Sequence, residues 1–235
     1  MKLVGVVNAF HLKLAMCILM VLDHLYWFMP RIMPYEFHIA GRLVAPVFAF
    51  LVAQSMIHTR NRQKYIARLM IFGAVTFLGN AILAAVYGFG PTMNILLSFV
   101  IAAQMIVVID KFIAGKKPTM IISAVLLAAA AWLFEGAWIV TAPILIFYYL
   151  RKNPLLMFAV YAALMPLIVR LTEIILDFRS PMQWAMIFAV MPLMLYDGKR
   201  GAGSNGGKSG ALAKYFFYVF YPLHIWVIFI ITRYI

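Results

Sequence analysis

Charge is scarce in this sequence, and acidic charge is scarcer still. Only 11% of the 235 residues are charged, and seven acidic residues face twenty basic ones. A soluble domain carries about a quarter charged residues, so an ordinary soluble protein is excluded. The single cysteine, Cys17, excludes an intrachain disulfide and a cysteine-built metal cluster, and it reads as packing. No internal repeat is visible, which removes solenoid architectures. What fills the chain is apolar. Hydrophobic residues make up 66%, aromatics 15%, and sixteen are Met, with a mean hydropathy of +0.97.

A chain of this length buries one good core, but here apolar stretches recur from end to end, so lipid must cover part of the surface. They fall near 12–30, 39–57, 69–87, 94–110, 119–134, 137–150, 154–170, 182–196 and 215–232. The expectation is all-α: a polytopic membrane helical bundle of about nine transmembrane helices, forming one domain over 1–235. Only Glu135-Gly136 separates 119–134 from 137–150, so that pair reads as a broken hairpin as readily as two full crossings. The first stretch keeps Asp23 and His24 inside it and is followed at once by others, so it reads as a span and not as a cleaved signal. Residues 197–214 read as a flexible loop rich in Gly.

The formal charge of +13 would point to nucleic acid in a soluble protein. Here position matters more than size. With the N-terminus placed in the cytoplasm, fifteen of the twenty Lys and Arg fall on that side: Lys2, Lys13, Arg60, Arg62, Lys64, Arg68, Lys111, Lys116, Lys117, Arg151, Lys152, Lys199, Arg200, Lys208 and Lys214. Arg31, Arg42, Arg170, Arg179 and Arg233 fall on the other. Short loops obey a positive-inside bias of this kind, so topology and anionic-lipid contact account for much of the charge. Pro154 and Pro118 stand at helix starts, where a missing N–H costs nothing. Pro46, Pro143, Pro166, Pro192 and Pro222 lie within or near the ends of spans and should bend them or free a carbonyl.

An ionisable residue at membrane depth is expensive and marks function by default. Asp23 and His24 are neighbours inside the first stretch. Lys13 and His24 are eleven residues apart, so they share a helix face and lie roughly 16 Å apart along the axis. A neutral imidazole at that depth suits a general base; the alternative is a structural Asp–His link between helices. Asp23, about 100° round from His24, must find its partner on another helix. Arg42, after Gly41 at the start of the second stretch, is the natural one. The run from His58 to Arg68 holds Arg60, Arg62, Lys64 and Arg68, a basic cluster at a helix start that suits phosphate. Asn94 and Gln104 are buried polar groups needing partners.

The last apolar stretch begins at Lys214 and continues Tyr215-Phe216-Phe217-Tyr218-Val219-Phe220-Tyr221-Pro222-Leu223-His224. Pro222 frees the carbonyl of Tyr218, and His224 lies about 15 Å into the span from Lys214. An interfacial aromatic belt explains Tyr215 and Phe216 but not His224. Residues 202–209, Ala-Gly-Ser-Asn-Gly-Gly-Lys-Ser, fit a relaxed nucleotide-binding loop. They join two membrane helices and not a strand to a helix, so the match carries no ATPase site.

Taken in order, these residues resemble the TraX family of membrane proteins, which is linked to N-terminal acetylation of conjugative pilin. The likeness rests on Leu14-Ala15-Met16 through Asp23-His24, Gly41 to Phe50, His58-Thr59-Arg60-Asn61, Tyr65 to Arg68, Asn94, Tyr196-Asp197-Gly198-Lys199-Arg200-Gly201 and Lys214 to His224. Family members often read Tyr-Asn-Gly where this chain has Tyr196-Asp197-Gly198. The family is similar in turn to integral-membrane acyltransferases (the acyltransferase 3-like group). Their basic residue and histidine, separated by ten residues on the first helix, correspond to Lys13 and His24. Their paired arginines correspond loosely to Lys64 and Arg68, with Lys standing at the first place of each pair.

The resemblance implies an acetyltransferase of the bacterial cytoplasmic membrane that uses acetyl-CoA as acyl donor, without a metal. The acceptor would be an amine or hydroxyl arriving at the outer side, on a pilin, peptide or glycan. His24 would be the base, with Asp23 beside it and His224 or Tyr218 as oxyanion donor. Lys13, Arg42, Arg60, Arg62, Lys64, Arg68, Asn94, Lys199, Arg200 and Lys214 would hold the donor. The competing expectation is a transporter, flippase or pilus-assembly partner with no bond chemistry, its buried charges being substrate contacts.

Overall fold

Asn8 starts the helical part of the chain. Its side-chain oxygen accepts from the N–H groups of Phe10 and His11, both at 3.1 Å, capping two donors that the first turn leaves unpaired. The computed structural model describes residues 5–115, 119–177, 182–199, 201 and 208–234, with backbone alone for 208–214. Ten α-helices follow: α1 Ala9–Phe28, α2 Tyr35–Gly41, α3 Val44–His58, α4 Arg62–Tyr87, α5 Ile95–Ile113, α6 Thr119–Ala130, α7 Ala137–Tyr149, α8 Pro154–Leu176, α9 Val190–Met194 and α10 Lys208–Ile231. Short 3-10 turns, Ala131–Leu133 and Gln183–Ala189, precede α7 and α9. Among the described residues there is no strand, only an isolated bridge between Val7 and Tyr196.

Among the described residues, five segments are long and apolar enough to cross a membrane: Ala9–Phe28, Tyr35–His58, Arg62–Tyr87, Ile95–Ile113 and Pro154–Leu176. All nine apolar stretches of the sequence are helical, but the described apolar parts of the other four, Thr119–Leu133, Ala137–Tyr149, Gln183–Met194 and Tyr215–Ile231, are shorter. The run 119–150 is interrupted where the sequence placed Glu135-Gly136, and both α6 and α7 pack on α5. After α6, the chain turns at Gly136, whose φ of +74° suits glycine, into α7. Neither arm reaches the roughly 20 residues of a straight span. α6 buries none of its residues, and Ile121, Ile122, Val125 and Leu126 face outward, as lipid-facing side chains do.

The helices gather into two compact units. One comprises 1–47, 74–93 and 185–235, the other 48–73 and 94–184, so α3 and α4 each pass from one to the other. The first unit packs α1 against α2 and α10, burying Leu12, Met16, Cys17, Met20, Ile225, Ile228 and Phe229. In it α4 meets α10 at Gly79, where a Cβ would overlap the Trp226 ring. The indole N–H of Trp226 donates to Asn80 Oδ1 at 2.9 Å, and Asn80 donates to the Met93 carbonyl at 3.1 Å. These pairings satisfy polar groups at a buried helix contact, where an unpaired one is costly. The second unit packs α5 on α6 and α7, and α7 on α8. Its core groups Phe50 edge-on to Phe147 and Phe147 tilted against Tyr161, with centroids 5.5 and 5.0 Å apart.

Candidate functional site

α1 and α10 run parallel in the first unit. Phe10 meets Phe217 near one end, with centroids 5.9 Å apart, and Phe28 meets Phe229 near the other at 5.8 Å. Between them His24 faces His224, with Nδ1 of the first 3.0 Å from Nε2 of the second. His24 Nδ1 also lies 2.8 Å from the Met20 carbonyl, and His224 Nδ1 lies 2.9 Å from the Phe220 carbonyl. Phe220 stacks flat on the His224 ring, 4.8 Å between centroids and 8° between planes. His224 is buried. Nε2 of His24 has no hydrogen bond among the described residues.

Asp23 points away from this pair to α2. Its carboxylate accepts from His38 Nδ1 at 2.7 Å and from Arg42 Nη2 at 3.1 and 2.8 Å. Arg42 also donates through Nε to the His38 carbonyl. Gly41 makes the approach possible, since a Cβ there would overlap the Asp23 side chain. Tyr26, Trp27 and Tyr35 surround the His38 ring at centroid distances of 5.1, 6.1 and 5.8 Å. The Asp23–Arg42 pairing follows the sequence expectation. His38 was missed, although its spacing of four from Arg42 on one helix was the signal that could have found it.

Lys13 lies over the Phe217 ring, 5.1 Å from its centroid, on the face that leads to His24. Tyr218 is six residues before His224, about 120° round the helix from it, and its ring lies 6.5 Å from that of Tyr215. The Tyr196-Asp197-Gly198-Lys199 segment closes on the start of α1. Asp197 N–H donates to the Val7 carbonyl, Val7 N–H to the Leu195 carbonyl, and Ala9 N–H to the Lys199 carbonyl. Asp197 Oδ1 accepts from Lys199 N–H at 2.8 Å, with φ of +79° at Gly198. This is a side-chain-supported turn, and Asn would make it equally well. Arg200 and most of the relaxed nucleotide-loop match lie outside the described residues, as do the side chains of Lys208 and Lys214.

The basic cluster at the start of α4 belongs to the second unit. Arg62 is committed there to Asp110 at 2.6 Å and to the Tyr148 hydroxyl at 2.6 Å, with Nε on the Met56 carbonyl. Tyr148 and Tyr149 both donate to Asp110, at 2.6 and 3.3 Å. Arg60 and Lys64 are exposed; Arg68 lies over Tyr65, 5.8 Å from its centroid. Asn94 is a structural link: its side-chain N–H donates to the Gly73 carbonyl at 2.9 Å, and its backbone N–H donates to the Glu135 carboxylate.

The family model described as "TraX protein" matches residues 10–232. The chain belongs to the TraX family. It is similar to the "Probable fimbrial assembly protein FimC, serogroup H1" of Dichelobacter nodosus, at 28% identity over 93% of each chain. No solved structure matches. This TraX-family chain is a membrane protein by its apolar helices, and the matched residues include both members of the histidine pair.

Proposed function

We propose that this TraX-family protein is an acetyltransferase of the bacterial cytoplasmic membrane, moving an acetyl group from cytoplasmic acetyl-CoA to an amine or hydroxyl at the outer side. One observation carries the reading. A histidine inside a candidate membrane span, His24, is held by a second histidine and a backbone carbonyl on one ring nitrogen. A lipid-facing or purely packing residue needs no such orientation, whereas a general base does. As the acceptor attacks the thioester carbonyl, His24 takes its proton, and it returns a proton to the departing CoA sulfur.

The residues suit the donor in part. Lys13 lies three turns before His24 on one face of α1, where it can meet a phosphate at the cytoplasmic end. Exposed Arg60, Lys64 and Lys199 add to the cytoplasmic positive charge that draws an anionic donor. Arg42 and Arg62 are spent on Asp23 and Asp110, so their roles are structural. The name of the Dichelobacter nodosus relative supports an acceptor connected with pili and also favours a second reading, an assembly partner without bond chemistry. Purified protein in liposomes, given labelled acetyl-CoA with candidate pilin peptides and glycans, separates the two. The enzyme reading expects label on one acceptor class, lost in His24→Ala. Absence of label from every acceptor, together with pilus assembly surviving in His24→Ala cells, favours the assembly role.

A further inference from the structure

The proton positions on the histidine pair follow from its neighbours. A backbone carbonyl only accepts. His24 Nδ1 lies 2.8 Å from the Met20 carbonyl and His224 Nδ1 2.9 Å from the Phe220 carbonyl, so in the neutral pair each Nδ1 carries the proton. His224 Nε2 is then bare and accepts the 3.0 Å contact from His24 Nδ1–H, which divides between Met20 and His224. The opposite arrangement would set bare Nδ1 lone pairs against two carbonyl oxygens. It is disfavoured at both rings at once. What remains is one bare nitrogen pointing away from the pair, Nε2 of His24.

We infer that the two histidines form a directed proton-sharing pair, in which His24 Nε2 is the atom that accepts the acceptor's proton and His224 is the positioning residue that takes up part of the resulting charge. The inference deepens the acetyltransferase reading and rests on it for its catalytic half. When the acceptor's lone pair bonds to the thioester carbonyl carbon, its proton passes to His24 Nε2. The His24 Nδ1 proton then shifts toward His224 Nε2, which spreads one positive charge over two rings. As the carbon–sulfur bond breaks, the proton on Nε2 goes to the sulfur, the Nδ1 proton settles back, and both rings are again neutral. Nothing is oxidised or reduced. His224 thereby acts as a hydrogen-bond acceptor toward His24 and not as an oxyanion donor. Its flat stacking on Phe220 holds the accepting nitrogen in line.

Nitrogen-15 NMR of the full chain in nanodiscs, labelled at its five histidines, tests the directed pair without any substrate. His24→Asn and His224→Gln supply the assignments. Both rings are expected to carry hydrogen on Nδ1 and none on Nε2 when neutral, and acidification should move the nitrogen signals of both rings together. Hydrogen on Nε2 of either neutral ring, or independent protonation, overturns the inference. Steady-state acetyl transfer tests the catalytic half. Gln at 224 keeps an acceptor near Nε2 but takes no proton. His224→Gln should therefore lower kcat, by no more than the roughly 10²–10⁴-fold that a positioned acid–base group supplies, with unchanged KM for acetyl-CoA. Its proton inventory should turn from curved to linear. Unchanged kcat in His224→Gln overturns the charge-sharing role. Correct tautomers in a wild-type protein that transfers no acetyl leave the directed pair standing and remove the enzyme reading instead.

Discussion

Arg42 grips both carboxylate oxygens of Asp23, at 3.1 and 2.8 Å, from nineteen residues further along the chain. The side chains are only 16% and 15% exposed, so each charge depends on the other. Asp23→Asn or Arg42→Met alone should cost about 3–5 kcal/mol, the range for stranding one partner of a buried pair. The double variant should recover much of that loss. Thermal melts of the four proteins in detergent complete the cycle, and additive losses would show that the pair is not coupled.

Gly41→Ala should loosen the same junction. The new methyl meets the Asp23 side chain, and overpacking costs about 1–3 kcal/mol. Gly79→Ala, against the rigid Trp226 ring, should be at least as damaging. Chemical denaturation of both variants checks the order.

His24→Ala should abolish acetyl transfer by about 10²–10⁴-fold or more, the scale for a positioned general base. It should leave a membrane-inserted protein whose melting temperature stays close to that of the wild type. Label transfer and a melt on the same preparation give both readings, and full transfer removes His24 from the chemistry.

Much of this was legible in the sequence. All nine apolar stretches are helices, and Glu135-Gly136 marked the α6–α7 break because a charge and a glycine interrupt an otherwise apolar run. Asp23, His24, Arg42 and His224 stood out because ionisable groups in such stretches are costly. Their pairing was another matter. Nothing local joins His24 to His224 across 200 residues, and helix α10 had to be placed beside α1 before the contact could be read. Asp110 was missed because a lone acid at the end of an apolar run resembles an ordinary helix terminus. It is the residue that ties down Arg62, which the sequence offered as a phosphate ligand. Asp197, within a stretch that carries the family likeness, is a turn former.

That turn gives its own test. Asp197→Asn keeps the oxygen that accepts from Lys199 N–H and should change stability by less than about 0.5 kcal/mol. Asp197→Ala loses the bond and should cost about 0.5–1.5 kcal/mol. Unfolding curves for the two variants separate the turn role from any dependence on charge.

The cations divide by commitment. Neutralising exposed Arg60 and Lys64 should weaken acetyl-CoA binding and make the remainder less sensitive to salt, since screened attraction is what is removed. Arg62→Gln should act mainly on stability, through Asp110 and Tyr148. Calorimetry at two salt concentrations beside a melt distinguishes them, and a donor affinity lost only in Arg62→Gln would reverse the assignment.

The histidine pair also sets a condition on biosynthesis. His24 enters the membrane with the first helix, while its partner is translated 200 residues later. Until α10 is inserted, the earlier ring lacks the contact that orients it, and a ribosome-bound or truncated chain carries His24 without His224. Under the proposed acetyltransferase reading, transfer requires α10 in the bilayer beside α1, so a stop codon before position 224 should leave an inserted product that transfers no acetyl group.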